Sequence, residues 1–358
     1  MSSESLKILM CGKGHLTNDY AGVDGGSNIR IPLINELFLR GHKIDWTSFA
    51  LNMELQHSNI DFLGIQPYVE SCEEAVRENI LLYKAIDKVK TAKTEDVYDA
   101  LVLEARPSWM YEESYLQNTL IKAALKRGIA VLVLDQDLWA DTAIDASFRP
   151  YVRLMRPYEA CNFVFPYQEM FAYYHHNVNL LTREPMYDVV YIGNRYEREA
   201  DFIEFMRPIH DANLSVLVSG DWVIKAPYVV KEFPKFHWIG STRHSYTLPL
   251  LQRGRCTVHV GRKVMRQYGL TPVRPFEAYM AGIPCFVKQY DVPSTIYPQS
   301  ADCVVREGYE VVQAFGTDSV THAYLDQGKL LRSYTTEYAA EQLVSAIRNQ
   351  KEMMLRRS

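Results

Sequence analysis

Apolar residues gather along this chain in short, mostly apolar runs, and most of them close on a glycine or a charged turn. In the first half they fall at 6–11, 43–49, 100–105 and 129–134; in the second, at 188–192, 214–218, 236–239, 256–260, 285–287 and 303–305. Runs that are apolar throughout predict strands buried on both faces. Between them, apolar positions recur at helical spacing and predict helices over 27–39 ending at Gly41, over 115–126 ending at Gly128, through Met206 after the turn at Arg198, and over 337–354. Segment 72–90 is polar and leans toward helix. Strands alternating with amphipathic helices make a parallel sheet covered on both sides, and the order describes two such α/β halves. Prolines, aromatics and the polar Tyr173-Tyr-His-His-Asn177 mark 149–185 as the region between halves, with the boundary in 182–187.

Composition fits this division. At 358 residues, 47% hydrophobic and 23% charged, the chain is long enough for two cores. No apolar run approaches membrane-spanning length, and Met1-Ser-Ser-Glu-Ser passes directly into a strand, so the expectation is a cytoplasmic protein without a membrane partner. Cysteines 11, 72, 161, 256, 285 and 303 show no Cys-x-x-Cys spacing, and free core thiols are expected. A net charge of −4 confines any nucleic-acid contact to local patches. Two stretches can supply one: Arg149, Arg153 and Arg156, and Arg253, Arg255, Arg262, Lys263 and Arg266; ordinary solvated surface is the competing reading.

Chemistry concentrates in Gly269-Leu-Thr-Pro-Val-Arg274-Pro-Phe-Glu277-Ala-Tyr-Met-Ala-Gly282-Ile-Pro284. The pattern predicts a helix opened by a proline, with Arg274 and Glu277 on one face and a glycine stop before a strand. Such a face suits a nucleoside diphosphate sugar: Glu277 accepts hydrogen bonds from the ribose diol, and Arg274 with the helix N-terminus faces the phosphates. A surface Arg–Glu pair is the bland alternative. Ligands of open parallel sheets bind beyond the carboxyl ends of strands, and two further turns stand at such ends. One is Gly193-Asn194-Arg195-Tyr-Glu-Arg198, where a glycine admits a pyrophosphate and two arginines supply charge; the other is Gly220-Asp221-Trp222. Asp135-Gln-Asp137-Leu-Trp-Ala-Asp141 leaves the run at 129–134; sugar transfer needs a base, and one of these carboxylates is expected to cap the following helix. His15, His175, His176 and His259 compete as bases, although His259, inside an apolar run, reads as a core residue. In the first glycine-rich loop, Asp19, Asp24, Ser27, Asn28 and Arg30 can reach an acceptor or donor sugar, or form plain surface.

Arg-x-Phe-Glu-Ala-x-x-Ala-Gly-x-Pro resembles the donor-binding helix of GT-B glycosyltransferases, and Arg274-Pro-Phe-Glu277 is similar to bacteriophage DNA β-glucosyltransferases and spore-maturation type glycosyltransferases. The resemblance implies two Rossmann-like domains facing a central cleft: 1–183 binding the acceptor, 184–333 binding the nucleotide-sugar, and a helix at 334–358 crossing back onto the first. It implies a UDP-linked donor held by Gly193, Asn194, Arg195, Arg198, Gly220, Asp221, Arg274 and Glu277. Asp137 is then the base, because the phage enzymes carry an aspartate before an apolar residue at the corresponding strand end. Retaining enzymes commonly carry a second Glu eight positions before the ribose-binding one; here that position is Gly269, which favours inversion. Metal is not required, although Asp135-Gln-Asp137 leaves room for a divalent ion. In the phage family the acceptor is the hydroxymethyl group of a pyrimidine in duplex DNA, which implies phosphate contacts from Arg149, Arg153, Arg156, Arg262, Lys263 and Arg266, and stacking of an extruded base on Trp109, Trp139 or Tyr151. The chain would act as a monomer. The alternatives are a GT-B enzyme acting on a small molecule, glycan or protein, and a sugar-nucleotide epimerase or non-catalytic nucleotide-binding module.

Overall fold

The computed structural model describes residues 5–12, 33–34, 36–37, 39–48, 98–135, 138–156, 184–241, 247–268, 272–292, 294, 296–331 and 336–356. Five strands, β1 (Lys7–Gly12), β2 (Lys43–Ser48), β3 (Ala100–Glu104), β4 (Ala130–Leu134) and β5 (Val152–Met155), form a parallel sheet in the order β2-β1-β3-β4-β5. A second parallel sheet holds β6 (Tyr187–Ile192), β7 (Val216–Ser219), β8 (His237–Ile239), β9 (Gly254–His259), β10 (Cys285–Lys288) and β11 (Val304–Val305), in the order β11-β10-β9-β6-β7-β8. Every residue of β4 is buried, as an interior strand covered on both faces requires.

Helices α1 (Tyr111–Lys126) and α2 (Ala140–Ala143) accompany the first sheet. With the second go α3 (Glu199–Asp211), α4 (Trp222–Lys225), α5 (Pro227–Glu232), α6 (Thr247–Leu251), α7 (Lys263–Tyr268), α8 (Arg274–Met280), α9 (Gly308–Phe315) and α10 (Ser319–Leu331). Helix α1 starts four residues before its predicted position, because its first turn is largely solvent-facing and the buried stripe begins only at Leu116. Segment 149–185, read as a connection, begins instead with an edge strand: β5 pairs with β4 from Val152 to Met155, and its exposed Arg153 breaks the apolar run that would have announced it. Helix α8 ends as expected at Gly282, whose φ of +79° suits a residue without a side chain.

The last helix, α11 (Thr336–Leu355), returns to the first sheet. Its Ala339, Ala340, Leu343, Val344 and Ile347 share one core with Ile8, Leu33, Leu37, Val102 and Leu132. Polar clasps flank this seam: Arg40 to Glu341 at 3.2 Å, Gln350 Nε2 donating to the Tyr151 carbonyl at 2.6 Å, and Lys351 to Asp99. The second sheet has its own core around Phe202, Phe205, Trp222, Phe233 and Phe276. Cys11, Cys256, Cys285 and Cys303 are buried free thiols, and burial pushes Cys303 up to about 12. Cys72 and Cys161 lie outside the described residues. None of the described helices is long and apolar enough to cross a membrane.

Candidate functional site

In the second sheet the strand order reverses direction between β6 and β9, and the crevice beyond their carboxyl ends is where such a sheet receives a ligand. Three loops meet there. The turn after β6 and the turn after β7 interlock: the Trp222 indole N–H donates to the Gly193 carbonyl at 2.6 Å, the Arg195 amide donates to Asp221 Oδ1 at 2.8 Å, and the Asp221 amide donates to Asn194 Oδ1 at 3.3 Å. Gly220 permits this contact. A Cβ there would stand 2.2 Å from the Gly193 carbonyl oxygen, and its φ is +156°. Helix α8 supplies the third wall, with Arg274 Nη2 donating at 2.9 Å to the Ile192 carbonyl that closes β6.

Arg274 also pairs with Glu277 one turn on, and this is no surface pair, since Glu277 is 1% exposed. Burial pushes the Glu277 carboxyl up while the guanidinium opposes the shift. Arg198 bonds the Asn194 carbonyl at 2.8 Å, and burial together with Arg262 and Arg274 pushes its pKa down. Arg195 pairs with Glu199 at 2.7 Å. Thus all eight residues assigned to the donor, Gly193, Asn194, Arg195, Arg198, Gly220, Asp221, Arg274 and Glu277, belong to one edge of one sheet. Guanidinium groups and carboxylates alternate here; Arg198, bonded to a carbonyl rather than a carboxylate, is the group best placed to favour an anion.

On the first sheet, Asp135 follows β4, is fully buried, accepts from the Ala140 amide at 3.1 Å at the start of α2, and pairs with Arg156 at 2.7 Å. It is thus the carboxylate that caps. Desolvation raises its pKa against these partners. Asp137, Asp19, Ser27 and Asn28, like His15, His175 and His176, lie outside the described residues. Glu104, at the end of β3, lies over Gly12 at the β1/β3 reversal, so that a Cβ on Gly12 would meet its carboxylate at 2.4 Å. Sequence reading passed over Glu104; its signal was a single carboxylate ending an apolar run.

No family model matches the chain, and no curated protein matches it. Solved structures do. T4 phage β-glucosyltransferase is similar over 96% of this chain and 99% of its own, with a TM-score of 0.58 and 15% identity. The chain has the GT-B fold. AviGT4, a glycosyltransferase of avilamycin A biosynthesis, aligns over 97% and 98% with a TM-score of 0.56 and 12% identity. UDP-GlcNAc 2-epimerase from Neisseria meningitidis, bound to UDP-GlcNAc, aligns over 96% and 100% with a TM-score of 0.51 and 11% identity. The T4 enzyme has been captured with UDP-glucose and with UDP and Mn2+. In this GT-B chain no group of three or more potential metal ligands occurs among the described residues.

The GT-B framework also sorts the basic residues. Arg156, with 11% of its side chain exposed, joins Asp135 and Asp141, each at 2.7 Å; Arg266 joins Asp201 at 2.7 Å and Asp291 at 2.5 Å. Both serve ion pairs within the chain. The run from Arg253 to Arg266 also divides: Arg253 and Arg255 flank the start of β9 and Arg262 and Lys263 follow its end, about 20 Å apart at ~3.3 Å per residue. Arg262 lies over the Tyr196 ring at 5.1 Å, beside the Gly193 turn. Arg149 is exposed, its guanidinium donating to the carbonyls of Asp141 and Ile144; Arg153 and Lys263 are exposed. Trp109 and Tyr151 are also exposed, whereas Trp139 packs partly against the core.

Proposed function

We propose that the protein is a GT-B glycosyltransferase that moves a sugar from a UDP-sugar to a hydroxyl group, with inversion. The observation supporting this reading is the meeting of Arg274, Glu277 and the Gly193 and Gly220 turns at the β6/β9 reversal. The diphosphate lies against Arg198 and Arg274, and Glu277 receives the ribose hydroxyls. Asp137 takes the proton of the acceptor hydroxyl as its oxygen attacks the anomeric carbon from the face opposite the diphosphate; the glycosidic electron pair leaves with UDP. Guanidinium groups carry the developing charge.

The acceptor in this reading is the hydroxymethyl group of a modified pyrimidine in DNA. Support comes from the likeness to the DNA modifying enzyme β-glucosyltransferase, at 13% identity, and from the exposed cations Arg149, Arg153 and Lys263. A small-molecule or glycan acceptor draws on the AviGT4 likeness and the net charge of −4. Incubating the protein with hydroxymethylated and plain DNA and a panel of UDP-sugars, then digesting and weighing the nucleosides, tests the proposal. One nucleoside heavier by a sugar residue is expected, and Asp137→Asn should abolish that gain while retaining donor affinity. A UDP-sugar that is epimerised with no transfer to any hydroxyl would overturn it.

A further inference from the structure

His259 is the last residue of β9, one of the two strands that frame the crevice. Its strand neighbours Cys256, Val258 and Val260 belong to the aromatic core, and strand alternation sends Thr257 and His259 to the other face. The imidazole is 8% exposed, and its Nε2 has no hydrogen-bond partner among the described residues. A stranded ring nitrogen in a dry site is destabilising, and an apolar residue would avoid that cost. Burial and the guanidinium groups of Arg198 and Arg274 push His259 down to about 3, so the ring is neutral and carries one N–H. A neutral donor beside two cations suits an anion rich in lone pairs. It does not suit a cation, which these arginines repel.

We propose that His259 is a third hydrogen-bond donor to the diphosphate of a bound nucleotide, its Nε2–H completing a set with the guanidinium groups of Arg198 and Arg274. This assignment rests on reading the crevice as a nucleoside-diphosphate site, and it gives His259 a role other than the base or core residue that its place in an apolar run suggests. The ring is fixed by β9, whereas an arginine must be held by its own partners: Arg198 by the Asn194 carbonyl, Arg274 by the Ile192 carbonyl and Glu277. Its contribution is therefore positional. A rigid donor at the strand end sets where the phosphates stop, and with them the anomeric carbon.

Calorimetric titration of the full-length protein with UDP and with uridine separates the possibilities, using wild type, His259→Ala, His259→Gln and Arg274→Ala. Loss of one donor should weaken UDP about tenfold in His259→Ala, leave uridine within about twofold, and be partly restored by the amide of His259→Gln. Wild-type UDP affinity in His259→Ala, with Arg274→Ala clearly weakened, would remove His259 alone. A wild-type protein that binds no UDP would overturn the nucleotide site and this assignment together. If the alanine variant does not fold, imidazole nitrogen NMR of the wild type decides: UDP, but not uridine, should shift the His259 Nε2 resonance, and an unmoved signal at UDP saturation overturns the assignment.

Discussion

Arg274 and Glu277 show what one side-chain pair does when it is buried at a strand end. Each offsets the other's charge, and Arg274 also ties α8 to the last carbonyl of β6. Arg274→Ala and Glu277→Ala should each weaken UDP-sugar binding by about 1 to 3 kcal/mol, the scale of charge-assisted hydrogen bonds, as read by calorimetry; unchanged isotherms for both would count against the proposed donor site. Asp135 and Arg156 make the same point on the first sheet. Arg156→Ala leaves a fully buried carboxylate with only backbone help, and the stability lost to urea should be about 3 to 5 kcal/mol. Adding Asp135→Asn should recover part of that loss. The pH dependence has a definite sign: burial raises the folded-state pKa of Asp135 above its ordinary 3.8, so only between the unfolded and folded values does the folded chain hold a proton that the unfolded chain has released, and the stability this contributes is lost as pH rises through the folded value. Arg156→Ala should therefore regain stability relative to wild type as pH falls from neutral toward that value, and urea melts at stepped pH measure it. Neither pair is equally legible in the chain. Arg274 and Glu277 sit three apart on one helix, whereas Asp135 and Arg156 meet across 21 positions and a strand pairing that no local pattern announces.

Elements follow the same logic. Strands β3 and β4 could be read directly because burial on both faces makes them apolar at nearly every position. Strand β5 could not, being four residues long with an exposed arginine at its second. The short helices α5, α6 and α7, of six, five and six residues, are too brief to establish a periodicity. Strand β9 separates arginines that are close in sequence, placing them at opposite ends of a sheet, and it puts His259 at the strand's carboxyl end. Helix α11 was legible as a helix, but its partner was known only by resemblance. Its Ile347 is fully buried against the first sheet, so Ile347→Ala should cost about 2 to 5 kcal/mol, through both lost transfer energy and the cavity left behind. Hydrogen exchange should then quicken in β4 before β9; equal acceleration in both would argue against a local role.

For the molecule as a whole, charge decides what kind of acceptor can approach. With Arg156 and Arg266 paired to carboxylates and Arg262 at 3.6 Å from Glu197, the exposed candidates for phosphate contact are Arg149, Arg153 and Lys263. Counterion release then predicts that the logarithm of DNA affinity falls against the logarithm of salt with a slope no steeper than about −0.9 per contact, or roughly −3 in all. Anisotropy titrations from low to moderate salt give that slope; a flat line with sugar transfer intact would point to an uncharged acceptor. The two halves that would enclose such an acceptor are joined by more than the segment between β5 and β6, because α11 leaves the second sheet's end of the chain and docks on the first. A protease that nicked the polypeptide once between those strands would therefore not set the pieces adrift. The C-terminal fragment would still grip its mate through the apolar seam and the Arg40, Asp99 and Tyr151 clasps, and the cut protein would elute at the size of the intact one until denaturant parted them.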